Sequence, residues 1–121
     1  MGRTDESRPA DFIPGTLCML ILKTLARLGP THGYGIAGYI KQTTDDVLQV
    51  EEGSLYPALQ RMLVKGWVTA EWQRSENNRQ ARFYRLTEDG RRQLRTEVSA
   101  YTRVIEAIAR VVQLIPESHT E

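Results

Sequence analysis

Residues 53–67 read GSLYPALQRMLVKGW, and this stretch predicts a short helix with a marked start and a marked end. Ser54 is a favourable N-cap, because its hydroxyl can accept a hydrogen bond from a free amide of the first turn. Pro57 then falls in that first turn, where the amide that proline lacks has no helical partner. Gly66 suits the left-handed residue that commonly follows the end of a helix.

This predicted helix has one apolar face and one polar face. Its apolar side chains recur at helical spacing, at Leu55, Leu59, Met62 and Leu63. The other face carries Tyr56, Gln60, Arg61 and Lys65, with Ser54 and Pro57 at its tip. An aromatic hydroxyl, an amide and two cations near a helix N-terminus suit a phosphate backbone with base edges beside it. The alternative is an ordinary amphipathic helix with a solvated polar face, so the neighbouring segments must decide.

Two more helices are predicted upstream. The first covers residues 16–28, where apolar side chains follow helical spacing between Pro14-Gly15 and Gly29-Pro30. Met19 and Leu22 lie off its main apolar stripe, so we expect this helix to be buried on two sides and assign both residues to a dimer contact.

The second upstream helix is expected over about residues 34–43, after the turn His32-Gly-Tyr-Gly35. Ile36 and Ile40 should point inward from it. Residues 48–50, Leu-Gln-Val, are expected to form a short extended piece before the next helix.

Downstream of Gly66 the apolar period changes from 3.6 to two. Val68, Ala70 and Trp72 alternate with polar residues, which indicates a strand. Trp72, like Trp67, is expected to pack in the core or on a strand face.

A polar loop with turn-forming asparagines is predicted at residues 74–80, RSENNRQ. A second strand should follow over residues 81–86, with Phe83 and Tyr84 on opposite faces. The two strands therefore predict a hairpin with a long, basic tip.

The last predicted helix is capped by Thr87 and carries a heptad seam. The seam residues step by four and three: Leu94, Val98, Tyr101, Ile105, Ile108, Val112 and Ile115. A seam this long on a terminal helix implies a partner helix, and hence a dimer.

Composition narrows the function classes. A chain of 121 residues with 40% hydrophobic and 26% charged residues is expected to be one globular domain. We expect a cytoplasmic location with no membrane contact, because no apolar run reaches membrane length and no signal peptide is predicted. A single cysteine and two histidines argue against a metal site, and no cofactor is expected.

Charge is distributed unevenly along the chain. The net charge is +1, yet residues 54–95 hold nine Arg or Lys against four Asp or Glu. Such a basic segment is the electrostatic pattern of nucleic-acid binding. No phosphate-binding glycine loop and no paired catalytic carboxylates are evident, so we expect no enzyme activity. Cys18, on an apolar helix, is expected to be a core residue rather than a redox sensor.

Helix, helix, helix, strand, strand and long helix is the order of a winged helix-turn-helix with an added helix. The predicted fold class is therefore mainly α with a β-hairpin (α+β). We expect a flexible tail at residues 1–11, a DNA-binding domain at 12–86, a dimerisation helix at 87–115 and a second flexible tail at 116–121.

The chain resembles PadR-type transcriptional regulators of the short kind, which have a single C-terminal helix. Two distant motifs carry most of the resemblance, His32-Gly-Tyr-Gly-Ile36 and Gly53-Ser-Leu-Tyr-Pro-Ala-Leu59. Asn77-Asn-Arg79 and the commoner Phe83-Tyr-Arg-Leu-Thr-Glu-Asp-Gly90 follow in the family's order. The resemblance implies a homodimer that binds a palindromic operator in double-stranded DNA, usually as a repressor released by a small molecule.

The resemblance also implies which positions contact DNA. These are Tyr34 at the start of the second helix, the tip and polar face of the recognition helix (Ser54, Tyr56, Pro57, Arg61 and Lys65), and the wing (Asn77, Asn78, Arg79, Arg82 and Tyr84). Gln60 is assigned to DNA from its place on the same polar face. Tyr84 either supports the wing base or contacts phosphate itself. Glu51 and Glu52, just before the helix tip, either point away from DNA or reject wrong sequences through their charge.

Two readings stay open beside these. Tyr101, on the seam, either lines a cavity for a small-molecule effector at the dimer interface or simply packs there. A winged helix can also serve as a protein- or ligand-binding module that does not read DNA.

Overall fold

Residues 15–113 are described by the computed structural model, and they form four helices and a three-stranded antiparallel sheet. The elements are α1 (Thr16–Leu28), β1 (Thr31–His32), α2 (Gly33–Thr43), α3 (Glu52–Val64), β2 (Val68–Arg74), β3 (Gln80–Leu86) and α4 (Glu88–Val112). This order confirms the predicted α+β fold. The predicted tails at residues 1–11 and 116–121 lie outside the described residues.

One apolar core joins the helices to the sheet. It is built from Ile21 and Leu25 of α1, Ile36 and Ile40 of α2, Leu55, Leu59 and Met62 of α3, and Val68, Tyr84 and Leu86 of the hairpin. α1 contacts all three other helices and β3, so it is the scaffold on which α3 is held.

The first helix has the predicted bounds, but its second apolar face does not form the predicted dimer contact. Leu22 is 0% exposed within its own chain, so it has no surface for a partner and its assignment to a dimer contact is wrong. The second apolar face of α1 is covered by α4 of the same chain. Met19 is also nearly buried and reaches only the edge of a groove between these two helices.

The segment between α1 and α2 contains a strand that the sequence does not predict. Thr31 and His32 pair with Tyr84 and Phe83, which adds β1 to the edge of the hairpin in the order β1-β3-β2. His32 also caps α2, because its Nδ1 accepts a hydrogen bond of 3.0 Å from the Gly35 amide.

The extended piece predicted at residues 48–50 is not a strand. The Leu48 amide donates to the Thr44 hydroxyl at 3.0 Å, and this bond folds the α2–α3 turn back on itself. Leu48 and Val50 then pack against the core from the turn.

The start of α3 also differs from the prediction. Glu51, not Ser54, is the N-cap residue, because the amides of Ser54 and Leu55 both donate to the Glu51 carbonyl at 2.9 Å. Pro57 therefore lies inside the helix rather than in its first turn.

The end of α3 is as predicted. Gly66 has a φ of 79°, its amide donates to the Leu63 carbonyl, and the Trp67 amide donates to the Met62 carbonyl at 3.0 Å. This pair of bonds is the Schellman arrangement, which turns the chain directly into β2.

The start of α4 is fixed to the end of α3. The Thr87 hydroxyl accepts a hydrogen bond of 3.0 Å from the Gly90 amide, which confirms the predicted cap, and donates one of 2.7 Å to the Gly66 carbonyl. Gly90 packs so closely that a Cβ there would overlap the carbonyl oxygen of Trp67. The long helix α4 is thereby oriented relative to α3.

The heptad seam on α4 divides into two parts. Leu94 and Tyr101 pack against the core of their own chain. Val98, Ile105, Ile108 and Val112 are exposed. Ile115 lies outside the described residues.

Candidate nucleic-acid interface

The polar face of α3 is exposed along its length. Its members are Ser54, Tyr56, Pro57, Gln60, Arg61 and Lys65, the same residues that the sequence assigns to DNA. Tyr34, at the start of α2, is 81% exposed. Its ring stacks on the ring of His32, the N-cap residue of α2, with the ring centroids 6.5 Å apart. The structure thus presents a hydroxyl on α2 and a polar strip on α3 to solvent.

Tyr56 is held in place by a glycine on α2. A Cβ on Gly33 would lie 2.6 Å from the Tyr56 hydroxyl oxygen, so the ring lies directly over this glycine. Partial burial raises the pKa of the Tyr56 hydroxyl, and the Glu52 carboxylate and the Tyr84 phenol raise it further. The hydroxyl therefore stays protonated at neutral pH and can donate a hydrogen bond, while 43% of the residue remains exposed.

Tyr84 does not lie on the surface. It is 5% exposed and belongs to the apolar core, so its assignment as a phosphate contact is wrong. Of the two roles predicted for it, the structure supports the one at the wing base. Every second residue of β3 faces the core, and Tyr84 falls on that face together with Leu86.

The wing is the loop between β2 and β3 with the adjoining strand ends. Asn77, Asn78, Arg79 and Arg82 are all exposed, as a DNA-contacting tip requires. Asn78 has a φ of 61°, which asparagine tolerates better than most residues. Arg74 holds the turn by donating to the Asn78 carbonyl at 3.0 Å and to its side-chain oxygen at 3.2 Å.

A contact at its base ties the wing to the helix-turn-helix. The His32 ring meets the Phe83 ring edge to face at 5.1 Å, and its Nε2 lies 3.7 Å from the Glu76 carboxylate. The same histidine caps α2, so the wing and the helix that carries Tyr34 share one anchor residue.

The predicted burial of Trp72 is also wrong. The alternation of its strand predicts that it packs, but it is 66% exposed near the end of β2. The alternation of Val68, Ala70 and Trp72 is real, but the strand continues past the core, so burial falls from one residue to the next. Trp67 is half-buried, and the Lys65 ammonium lies 5.4 Å from its ring.

Glu52 lies in the first turn of α3, one helical turn before Tyr56. Residues four apart share one side of a helix, and the Glu52 charge contributes to the raised pKa of the Tyr56 hydroxyl. An acid is thus built into the tip of the polar face.

Cys18, which the sequence predicts to be a core residue, is half-buried and packs against the edge of the core. Burial, together with the nearby Glu97 carboxylate, raises the pKa of its thiol to about 12. Such a thiol is protonated at neutral pH and is a poor nucleophile.

Residues 15–113 contain neither a candidate metal site nor a candidate membrane-spanning helix. Within that range no group of three His, Cys, Asp or Glu side chains could hold a metal ion. None of the described helices is both long and apolar enough to cross a membrane.

Comparison with known proteins gives a family and a fold. The transcriptional regulator PadR-like family matches residues 21–96 of the chain. A PadR family transcriptional regulator from Eggerthella lenta is 28% identical, with a TM-score of 0.65 over 81% of this chain and 82% of that one. A transcriptional regulator from Clostridium thermocellum shares the fold at 24% identity, with a TM-score of 0.70 over 89% of this chain and 100% of that one.

A third similar structure contains DNA. Bacillus subtilis PadR, in complex with operator DNA, is 25% identical, with a TM-score of 0.60 over 69% of this chain and 47% of that one.

Proposed function

We propose that this chain, which belongs to the transcriptional regulator PadR-like family, is a repressor that binds an inverted-repeat operator as a homodimer. Members of this family are transcriptional regulators, so the chain is a transcriptional regulator, and the expectation that it is not an enzyme is confirmed by the family. Repression, the dimer and the symmetry of the operator go beyond that assignment. A cytoplasmic location belongs to the same proposal.

The observation that carries the proposal is the exposed polar strip of α3. Tyr34 lies on α2, whose Gly33 contacts Tyr56 of this strip, and the basic wing follows α3 in the chain. Along α3, Tyr56 can donate to a base edge or a phosphate, while Arg61 and Lys65 supply charge for the backbone. We assign to this DNA surface Tyr34, Ser54, Tyr56, Pro57, Gln60, Arg61, Lys65, Asn77, Asn78, Arg79 and Arg82.

A relative supports the DNA partner. Bacillus subtilis PadR binds operator DNA, and this chain shares its fold at a TM-score of 0.60. Because recognition helices of this motif enter the major groove, α3 is the element that we expect to read the operator.

The exposed part of the α4 seam supports the dimer. Val98, Ile105, Ile108 and Val112 recur along one face of a 25-residue helix at heptad positions. A heptad face of this kind packs against a second helix, and a second copy of this chain supplies an identical one. Two copies would then present two α3 helices related by a two-fold axis.

A groove between α1 and α4 supports a small-molecule effector. Its volume is about 520 Å³, and its walls include Met19, Leu20, Val98 and Tyr101. It adjoins the exposed seam, so a ligand in the groove would touch the residues that hold the dimer together.

The experiment that tests this function is a titration of a labelled duplex from the gene's own upstream region with wild type, Arg61→Ala and Arg103→Ala. We expect Arg61→Ala to weaken binding. It should also lower the salt slope, which is the steepness with which log affinity falls as log salt concentration rises, by roughly 1, as loss of one phosphate contact does. Arg103→Ala, on the exposed surface of α4, is the matched control and should change neither quantity. A wild-type protein that shifts no duplex at micromolar dimer would favour a protein- or ligand-binding module instead.

A further inference from the structure

We propose that Trp72 and Arg82 form a second DNA-contacting surface on the wing, in which the Trp72 ring packs on deoxyribose and Arg82 pairs with the adjoining phosphate. This inference rests on the proposed DNA-binding function. It adds a contact with sugar and phosphate, which depends on the shape of the duplex rather than on its base edges. The occupant is the sugar–phosphate wall of the duplex beside the groove that α3 enters.

The first observation is the exposure of Trp72. Two thirds of this large apolar residue faces solvent, at 66%, although tryptophan is highly buried on average in proteins. Within residues 15–113, neither another ring nor a cation covers its face, whereas Trp67 has Lys65 over it. The ring is therefore a free aromatic face on the hairpin.

The second observation is its cross-strand partner. Trp72 lies directly opposite Arg82 in the register of β2 and β3, so both side chains emerge on the same face of the sheet. The Arg82 side chain forms no hydrogen bond or ion pair with any other residue of the described chain. An aromatic face and an unpaired guanidinium thus stand side by side.

The third observation places this pair next to the recognition helix. The sheet face that carries Arg82 and Trp72 also carries Tyr84, two residues along β3 from Arg82. That separation is roughly 7 Å along a strand. Tyr84 packs in the same apolar core cluster as Leu55 and Leu59 of α3, the helix that carries Tyr56. A duplex that touches Tyr56 therefore has Arg82 and Trp72 within reach on the same side.

The charges on the two faces of the hairpin favour a polyanion on this one. Beyond the core, the face of Trp72 carries Arg74 and Arg82 and no acidic residue, because strand alternation puts Glu71 on the opposite face. There the Glu71 carboxylate accepts a hydrogen bond from Gln73. Nucleic-acid-binding proteins often combine cations that follow the phosphate backbone with apolar or aromatic side chains that pack against the nucleotides.

The test uses the full chain and a fluorescein-labelled duplex carrying a site selected from a random pool. Trp72→Ala should weaken binding by about 5- to 10-fold, in the range that loss of one aromatic stacking contact produces. Its salt slope should be unchanged, whereas Arg82→Ala should lower the slope by roughly 1. Trp72→Phe keeps an aromatic ring, so its loss of binding free energy should be less than half of the loss in Trp72→Ala.

The matched control is Gln73→Ala, the exposed neighbour on the opposite face, which should bind like wild type. Tryptophan emission gives a second readout: adding the duplex should change the emission of wild type by more than that of Trp72→Phe, which retains Trp67 beside Lys65. Circular dichroism melts should confirm that Trp72→Ala folds, because the residue lies outside the core.

Three outcomes would overturn the inference. Trp72→Ala that binds within twofold of wild type, while wild type binds tightly, would remove Trp72 from the interface and leave the DNA-binding function standing. A shift of Trp72→Ala towards monomer in sedimentation would assign the ring to a second copy of the chain. A wild-type protein that binds no duplex at all would end the proposed function itself, and this inference with it.

Discussion

The ring of Tyr56 on α3 lies directly over Gly33 on α2, and a Cβ at Gly33 would lie 2.6 Å from the tyrosine hydroxyl oxygen. This contact sets the distance between the two helices of the helix-turn-helix at the point where both approach DNA in the proposed complex. The glycine is therefore required by a neighbouring side chain rather than by its own backbone angles.

Replacing Gly33 with alanine should displace Tyr56. We expect Gly33→Ala to cost about 1–3 kcal/mol of unfolding free energy, as overpacked sites do, and to weaken DNA binding beyond what the lost stability explains. Urea unfolding and duplex titration on the same preparations measure the two effects.

Gly38→Ala is the control for that change. Gly38 lies in the same helix, and a Cβ at this position would have nothing within 4 Å of it, so alanine should stabilise the helix by roughly 0.5–1 kcal/mol. Equal effects of the two substitutions would contradict the role of Gly33.

Thr87 should contribute more to the free energy of unfolding than an ordinary helix cap. Its hydroxyl accepts from the Gly90 amide and donates to the Gly66 carbonyl, so Thr87→Ala removes two bonds at once. We expect a loss of about 1–2 kcal/mol in urea unfolding, the upper part of the range for caps. Thr87→Ser keeps the hydroxyl and should recover most of the loss; a serine variant as unstable as the alanine variant would show that the methyl group matters instead.

The exposed half of the seam should control assembly. Ile105→Asp places a charge in the proposed helix–helix contact, so we expect sedimentation to show a monomer at concentrations where wild type is a dimer. Ala100→Asp, exposed on the same helix but off the seam, should remain dimeric. A dimeric Ile105→Asp protein would mean that the copies associate elsewhere.

The Cys18 thiol should make stability depend on alkaline pH. The folded protein raises its pKa from 9.0 to about 12, so folding favours the protonated thiol. That contribution is complete below pH 9 and is lost as the pH rises from about 9 towards 12, because the unfolded chain ionises first.

Comparing the pH dependence of urea midpoints for wild type and Cys18→Ala between about pH 8 and pH 10.5 measures this difference. Wild type should lose stability faster than the variant. In the native state at about pH 8, thiol reagents should react slowly with Cys18. Fast labelling without unfolding would contradict the burial of the thiol.

Local signals in the sequence predict the helices well where the chain marks its own boundaries. α1 has its predicted bounds because glycines with positive φ flank it, and Thr87 caps α4 as expected. The predicted start of α3 is wrong because Ser54 is a good cap in isolation, whereas the backbone reaches helical geometry three residues earlier, after Glu51.

Tertiary placement is harder to predict for residues whose burial depends on distant elements. The sequence predicts Leu22 at a dimer contact, but α4 of the same chain covers α1. Tyr84 and Trp72 follow the alternation of their strands, yet the first lies over the core and the second lies beyond its edge. Alternation identifies the faces of a strand but not the point at which the core ends.

The most direct test of the central claim varies the spacing between operator half-sites. A site is first selected from a random pool, and duplexes are then made with the two half-sites at the selected spacing or with about half a helical turn, ~5 bp, inserted between them. A two-fold dimer that presents two α3 helices to one side of the duplex should prefer half-site centres about one helical turn, ~10 bp, apart. We expect tight binding to the selected inverted repeat and loss of most of the affinity on insertion, because half a turn moves one half-site to the opposite side. Equal affinity for both duplexes, or selection of a site with no symmetry, would contradict a homodimer that reads an inverted repeat.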